Sequence, residues 1–206
     1  MKSNPYLNDD YNKLCVSASG GFIEKVLHRT IERKLDKKVF SKVLEIGAHN
    51  AEHLKYVVHD WDEYHMVDVI EMPRTTRGNL PIGALFHLID GESLPFPNDY
   101  FDRIVVTCVL HHVENLHALL SDMKRTLNKS GSISILLPCD PGLMYRLSKE
   151  LTTGIKARFA RKYHEIKLFH AKEHRNHFWS LRILLKDAFN EKEFKIYTKY
   201  IPFSIK

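Results

Sequence analysis

The sequence predicts one α/β domain with a Rossmann-like, doubly wound, mostly parallel sheet, helices on both faces, and a basic helical insertion after strand 5. Short apolar runs alternate with amphipathic stretches as far as residue 138, which is the pattern of consecutive β-α units. The length of 206 residues suits a single domain with its own core. We divide residues 1–206 into an N-terminal helical segment (1–40), an α/β core (41–138), a basic insertion or lid (139–178), and a C-terminal helix and strand (179–206).

The first elements form a βαβ unit that follows an N-terminal helix. Apolar residues recur at helical spacing over 21–37, which predicts an amphipathic helix. Residues 42–47 then predict a short strand, 51–60 a helix, and 63–69 a second strand. Two strands joined through a helix are parallel, so the sheet begins with a parallel pair.

Three more strands complete the predicted sheet. The runs 84–89 and 101–108 are strand-like, and a helix over 114–127 carries its leucines on one face. We expect a turn at 128–131 to end that helix at a glycine, and a buried strand at 132–138 to follow. Strands that alternate with helices predict a parallel sheet covered on both faces.

The basic charge of the chain is concentrated in one segment. Residues 139–178 contain nine Lys/Arg and four Asp/Glu, so they carry +5 of the net +6. We predict one or two basic helices and a loop there, then a helix at 179–189 and a strand at 193–203. If the last strand of the sheet is absent, the exposed edge favours pairing with a second copy, that is, a homodimer.

The composition excludes several classes of protein. Cys15, Cys108 and Cys139 are far apart and odd in number, which argues against a disulfide framework or a structural zinc site. The N-terminus has no apolar leader, and the longest apolar run is too short for a transmembrane segment. We therefore expect a cytoplasmic protein, for which peripheral contact with a membrane surface stays open.

Acidic or small residues follow each predicted strand of the core. Glu45 and Gly47 close the first strand, and Asp68 closes the second, 21 residues after Gly47. Ligands bind open α/β sheets at these carboxyl ends, and an acid about 20 residues after the first glycine accepts hydrogen bonds from a ribose diol. The pattern predicts a nucleoside-containing ligand.

These segments together resemble a known family, the class I S-adenosylmethionine-dependent methyltransferases, and within it the ubiquinone-biosynthesis-type group. VLEIGAHNA (43–51) is similar to its first motif, HMVDVI (65–70) to its ribose-binding strand end, and residues 87–115 to its adenine-binding and fourth-strand segments. The similarity continues through 123–138. The resemblance implies S-adenosyl-L-methionine as cofactor and methyl transfer as the activity.

The resemblance also implies which residues bind this cofactor. At the first loop, Glu45, Gly47 and His49 would lie at the methionine end of the cofactor. After strand 2, Asp68 and Val69 would lie against the ribose and the adenine. Asp90 and Gly91, after strand 3, would lie at the adenine edge, and the backbone of Thr107, after strand 4, at the methionine portion.

The first motif departs from the family pattern at two positions. The family usually has glycine where this chain has His49 and Ala51, and glycine there lets the backbone approach the ligand. The imidazole of His49 would weaken binding, point away from the ligand, or contact the cofactor carboxylate.

The acceptor side of the site is less defined by the sequence. His111 and His112 follow the fourth strand, where a histidine serves as a base near neutral pH or instead caps or packs beneath the next helix. No metal is predicted, because the spacing of His170 and His174 lacks the HExxH order and no further ligand is evident. The substrate-binding candidates, which otherwise form only a solvated basic surface, are Tyr145, Arg146, His170, His174, Arg175 and Asn176.

The sequence thus predicts an S-adenosylmethionine-dependent enzyme that methylates nitrogen or oxygen of a small anionic acceptor, with a phosphate-bearing, nucleotide-sugar or lipid-headgroup structure. One alternative is a nucleic-acid-modifying methyltransferase, motivated by the basic segment. The absence of an NPPY-type motif after the fourth strand argues against nucleic acid as the partner. The other alternative is a non-catalytic module with a degenerate first motif.

Overall fold

The computed structural model describes residues 20–91, 93–190 and 194–195, and its centre is a five-stranded, all-parallel sheet. The strands are β1 (Val39–Ile46), β2 (Asp60–Asp68), β3 (Ala84–Leu88), β4 (Phe101–Thr107) and β5 (Leu127–Leu136). Their order in the sheet is β3-β2-β1-β4-β5, so β2 and β3 lie on one side of β1, and β4 and β5 lie on the other. Strand order reverses between β1 and β4, and the predicted doubly wound α/β fold is confirmed.

Helices flank these strands and form the insertion. They are α1 (Gly20–Glu32), a 3₁₀ turn (Leu54–Tyr56), α2 (Arg74–Arg77), α3 (Leu116–Thr126), α4 (Leu143–Lys149), a π turn (Glu150–Gly154), α5 (Ile155–Phe159), α6 (Tyr163–Glu173) and α7 (Phe178–Ala188). The insertion thus holds three helical segments and a π turn, where the sequence predicted one or two helices. No helix within the described residues is long and apolar enough to cross a membrane.

Alternate residues of the central strands enter two separate cores. Leu44 and Ile46 of β1 pack on one face with Leu120 of α3 and Leu181 of α7. Val43 packs on the opposite face, where partly buried Ile31 of α1 also lies. This alternation is the period-2 pattern of a strand buried on both faces.

A buried ion pair joins α1 to β4. The Arg103 guanidinium donates through Nη1 to Glu32 Oε2 at 3.1 Å and through Nη2 to Oε1 at 2.6 Å, and both side chains are fully buried. His53 Nε2 lies 2.9 Å from the same Oε1 atom. Burial opposes ionisation of Glu32, but its hydrogen bonds to His53 and Arg103 and the charge of Arg103 lower its pKa to about 2.

The predicted helix over 51–60 is wrong. Ala51 has a left-handed φ of 58°, which a helix cannot include, and β2 already begins at Asp60, in register with Val39 of β1. Only one 3₁₀ turn fits between these points, and the buried contact of His53 with Glu32 holds it. The N-terminal helix also ends before residue 37, because Lys34 has a φ of 71°.

The expected turn at 128–131 is also wrong as an element boundary. The helix α3 ends at Thr126, and β5 starts directly at Leu127, which pairs with Phe101. The next pair joins Ser132 to Arg103, so the predicted turn residues form an irregularity within the strand. The predicted strand at 193–203 falls outside the described residues except for residues 194–195, which form no strand.

Candidate functional site

The loop after β1 approaches the loop after β4 so closely that only glycine fits at its start. Gly47 has a φ of 74°, and a Cβ atom there would lie 2.1 Å from Cγ2 of Val109. His49 and Ala51 are left-handed as well, with φ angles of 45° and 58°. The chain therefore keeps a backbone that favours glycine at both positions where the sequence departs from the family pattern.

Asp68, at the end of β2, holds this loop in place. Its Oδ2 atom accepts from the His49 N–H at 2.8 Å, and its Oδ1 atom accepts from the Ile70 N–H at 3.0 Å. Burial raises the pKa of the Asp68 carboxyl, and the two N–H donors act against that rise. Each carboxylate oxygen has a second lone pair, so the oriented group can still accept hydroxyl donors.

The side chain of His49 turns toward the loop itself. Its Nδ1 atom lies 2.8 Å from Oε1 of Glu52, and this hydrogen bond is the main reason why the pKa of His49 is raised. The Oε2 atom of Glu52 accepts from the Asn50 N–H at 3.1 Å. The Oδ1 atom of Asn50 is buried and has no hydrogen-bond partner among the described residues, so the loop contains an acceptor that a ligand donor would satisfy.

Glu45 lies beneath this loop. Its carboxyl group is 1% exposed, and the Tyr64 hydroxyl donates to its Oε2 atom at 2.9 Å. Desolvation raises the pKa of Glu45 to about 8, and the neighbouring charges of Glu52 and Asp68 add to the rise. A carboxyl group with that pKa is mostly protonated at neutral pH.

The residues predicted to face adenine lie at adjacent strand ends. Val69 is 50% exposed at the end of β2, although most valines of the sheet are buried. Gly91 has a φ of 84°, and a Cβ atom there would lie 3.0 Å from Cγ1 of Val69. Asp90, beside it, is exposed. The structure thus brings the ends of β2 and β3 together around an exposed apolar side chain.

The end of β4 leads into a cluster of imidazole rings. Thr107 closes the strand, and His111 and His112 follow four and five residues later. The ring centroid of His174, after α6, lies 4.6 Å from that of His111 and 5.0 Å from that of His112. The two histidines predicted for catalysis therefore meet one of those predicted for the acceptor.

Asp140, after β5, completes the cluster. Its Oδ2 atom lies 2.7 Å from Nδ1 of His174, and this hydrogen bond is the main reason why the pKa of Asp140 is lowered. His170 Nδ1 lies 3.1 Å from Nε2 of the same His174 ring. Asp140 is not among the predicted site residues, although it follows a strand end just as Asp68 and Asp90 do.

The insertion encloses a cleft that opens beside this cluster. Three of the predicted acceptor residues, Tyr145, Arg146 and His170, line this cleft. Two acids of the insertion, Asp140 and Glu150, also line it. The lining residues are Asp140, Tyr145, Arg146, Glu150, Gly154, Ala157, Tyr163, Ile166, Lys167 and His170.

Two other predicted acceptor residues instead fasten the insertion to the loop after β4. The Nδ2 atom of Asn176 donates to the carbonyl groups of Leu110 and Val113 at 3.0 and 2.7 Å. Arg175 Nη1 lies 2.8 Å from Oε2 of Glu114, and its N–H donates to the carbonyl of His111 at 2.9 Å. These contacts place the insertion against the candidate site.

Comparison with known proteins supports the sequence resemblance. Residues 44–135 match the family described as "Methyltransferase domain". The ubiquinone/menaquinone biosynthesis C-methyltransferase UbiE of Coxiella burnetii is 47% identical over 47 residues, or 23% of this chain and 19% of that protein. UbiE of Bordetella avium is 35% identical over 68 residues, or 32% of this chain and 27% of that protein. The matched segments thus span less than a third of these relatives.

Solved structures share the fold over more of the chain. A protein from Methanococcus maripaludis, assigned as an S-adenosyl-L-methionine-dependent methyltransferase, has a TM-score of 0.60 at 17% identity and covers 89% of this chain and 82% of its own. A protein from Bacillus halodurans, assigned as a methyltransferase, has a TM-score of 0.55 at 13% identity and covers 81% and 68%. With its strand order, the segment that matches this family gives the chain the fold of class I S-adenosylmethionine-dependent methyltransferases.

Proposed function

We propose that this protein transfers a methyl group from S-adenosyl-L-methionine to nitrogen or oxygen of a small anionic acceptor. The observation that carries the proposal is the loop of residues 47–51, which keeps a left-handed backbone at all three glycine positions of the family and is anchored to Asp68. The two unfavourable φ angles cost stability, and strained backbone of this kind is typical of ligand-binding sites.

The residues of the first loop and of the end of β2 fit the cofactor. Gly47 provides close approach of the backbone, Asp68 offers oriented oxygens for the ribose hydroxyls, and Val69 presents an exposed apolar surface for adenine. The unpartnered oxygen of Asn50 accepts a further donor. The predicted contacts of His49, Asp90, Gly91 and Thr107 belong to the same proposal.

When bound, the cofactor supplies a methyl group on a sulfonium, which is already activated for displacement. The protein then contributes alignment of the acceptor and exclusion of water. His111 and His112 stay the predicted bases for an acceptor that must lose a proton. Arg146, in the cleft beside His170, supports an acceptor with a negative charge.

Calorimetry with S-adenosyl-L-methionine tests the cofactor part. We expect the wild type to bind, Asp68→Ala to bind at least about 100-fold more weakly because it loses both the loop anchor and the ribose acceptor, and the matched control Asp60→Ala, at the other end of β2, to bind normally. Failure of the folded wild type to bind would overturn the proposal and favour a non-catalytic module.

Methyl transfer to candidate acceptors tests the chemistry. We expect turnover with phosphate-bearing or other anionic small molecules, and a higher KM for Arg146→Gln with unchanged cofactor binding, because this side chain lies in the cleft of the insertion. Methylation of RNA or DNA in place of small molecules would instead favour the nucleic-acid alternative.

A further inference from the structure

We propose that His111, His112 and His174 form a binding site for a divalent transition metal, with zinc as the best match. Within the described residues, these three side chains are the group whose ligand atoms all lie within 4.8 Å of one another. Neutral imidazole is the ligand type that zinc, copper and nickel share, and three histidines with one open position are a recurrent zinc set.

The surroundings of the cluster resemble a metal site beyond the ligands themselves. Asp140 lies 2.7 Å from Nδ1 of His174, which turns the Nε2 atom of that ring away from the carboxylate. His112 Nδ1 lies 3.1 Å from the carbonyl oxygen of Glu173. Ligand histidines usually donate their second ring N–H to a carboxylate or carbonyl in this way, which fixes the tautomer and the ring orientation.

The distances require only small movements. Ligand atoms at 2.0–2.1 Å from a tetrahedral ion lie about 3.3 Å apart. The Nε2 atom of His174 and the Nδ1 atom of His170 are already 3.1 Å apart, so His170 is placed as an alternative fourth ligand. The ligand atoms of His111, His112 and His174 lie within 4.8 Å of one another, so they must close by at most about 1.5 Å to reach the tetrahedral spacing.

The site joins three separate parts of the chain at the carboxyl edge of the sheet. His111 and His112 follow β4, Asp140 follows β5, and His174 follows α6. An ion here would lie beside the cleft of the insertion, because Asp140 and His170 line that cleft and both contact His174. At that place it would hold an oxygen or nitrogen of the acceptor. A nitrogen that ligates a metal has no lone pair for a proton, so metal binding and the predicted base role exclude each other at that atom.

Binding of Zn²⁺ and Co²⁺ to chelator-treated protein tests the site without any need for turnover. We expect one ion per chain, and Co²⁺ absorption bands typical of a tetrahedral nitrogen site. His174→Ala should weaken binding at least about 100-fold and Asp140→Asn about 10–100-fold. The matched control is His164→Ala, an exposed histidine of helix α6, which should bind as the wild type does.

Equal binding by wild type and His174→Ala, or no binding by the wild type, would overturn the metal site. Cofactor calorimetry on the same samples separates this result from a failure of the proposed methyl transfer. We choose His174→Ala for the test and not a His111 variant, because His111 is buried and the loss of its side chain would leave a cavity beneath the loop.

A second inference rests on a different observation, an exposed apolar face along α4, the π turn and α5. Five apolar residues recur every four positions on it, and their exposed fractions run from 41% to 86%: Leu143, Leu147, Leu151, Ile155 and Phe159. Gly154 and Ala157 of the same segment are buried, so the segment packs on the protein through other positions than these five. Residues four apart shift steadily around an α-helix, because one turn holds 3.6 residues. The wider turn of the π segment reverses part of this shift, so the five apolar residues stay on one face.

We infer that this face docks on an anionic lipid bilayer. Residues 143–162 contain six Lys/Arg and one acid, so a positive charge of +5 accompanies the apolar stripe. Apolar residues on one side with basic residues beside them are the features of helices that lie in a membrane interface. Each basic residue near an anionic surface adds about 1 kcal/mol of attraction.

Vesicle sedimentation tests this surface. We expect the protein to bind phosphatidylcholine vesicles that contain phosphatidylglycerol, to bind pure phosphatidylcholine at least tenfold more weakly, and to dissociate at high salt. Leu143→Ser with Phe159→Ser should abolish binding, whereas Ile183→Ser, an equally exposed position on α7, should not. Binding that is unchanged in the double variant would overturn this inference, as would a dimer in lipid-free solution that the double variant dissociates.

Discussion

Three residues of the first loop, Gly47, His49 and Ala51, have positive φ angles, although only the first is glycine. A left-handed backbone costs a residue with a Cβ atom about 1–2 kcal/mol, so the chain contains strain at two positions. The hydrogen bond from the His49 N–H to Asp68 and the ion pair of His49 with Glu52 stabilise this conformation. The sequence alone identified both positions as departures from the family, but it could not predict that the backbone would stay the same.

Ala51→Gly should raise the free energy of unfolding by up to about 1 kcal/mol, because the relief of left-handed strain exceeds the entropy that glycine adds to the unfolded chain. Ala48→Gly is the matched control in the same loop, since Ala48 is buried and has no positive φ. That control should lose about 1 kcal/mol or more. Urea unfolding of the three proteins measures both changes, and equal losses would show that Ala51 is not strained.

Among the secondary-structure elements, the sequence predicted the strands better than the segments that connect them. Each of the five strands overlaps the apolar run that predicted it, because burial on both faces requires continuous apolar residues, although β1 and β5 begin three and five residues earlier than predicted. The helix expected at 51–60 was wrong because the contact of His53 with Glu32 and the early start of β2 decide that segment. Neither contact has a local pattern in the sequence.

The packing of α1 on the sheet depends on one buried ion pair, Glu32 with Arg103. Arg103→Met should lower the free energy of unfolding by about 3–5 kcal/mol, because it leaves the Glu32 carboxylate buried without its guanidinium partner. Arg77→Met removes an ion pair with Glu71 in which both side chains are more than half exposed, and should cost less than about 1 kcal/mol. Similar losses in both variants, measured by chemical unfolding, would contradict a special role for the buried pair.

Two buried carboxyl groups, those of Glu32 and Glu45, make the free energy of unfolding of the whole protein depend on pH in opposite directions. The pKa of Glu32 is lowered from 4.5 to about 2, so its stabilisation is present above the unfolded pKa and is lost as the pH falls toward 2. The pKa of Glu45 is raised from 4.5 to about 8, so the folded state retains a proton that the unfolded state releases. Stability should therefore also fall as the pH rises from about 4.5 to about 8.

Glu45→Gln should remove most of that decline on the alkaline side, since the amide keeps an acceptor for the Tyr64 hydroxyl and cannot ionise. In the wild type the slope approaches about 1.4 kcal/mol per pH unit within this range. Urea unfolding at a series of pH values, with Glu32→Gln as the variant that changes only the acid side, measures both slopes. A wild-type stability that rises between pH 5 and 8 would contradict the raised pKa of Glu45.

The amino-acid sequence is enough to predict the parallel sheet and the acids and glycines at the carboxyl ends of its strands. Those features are local, because they depend on runs of apolar residues and on the residue that follows each run. The folded chain is needed to see that His111 and His112 meet His174 beside Asp140, and that Glu32 pairs with Arg103, 71 residues away. Such contacts arise when loops and helices pack across the sheet, and no spacing along the chain encodes them.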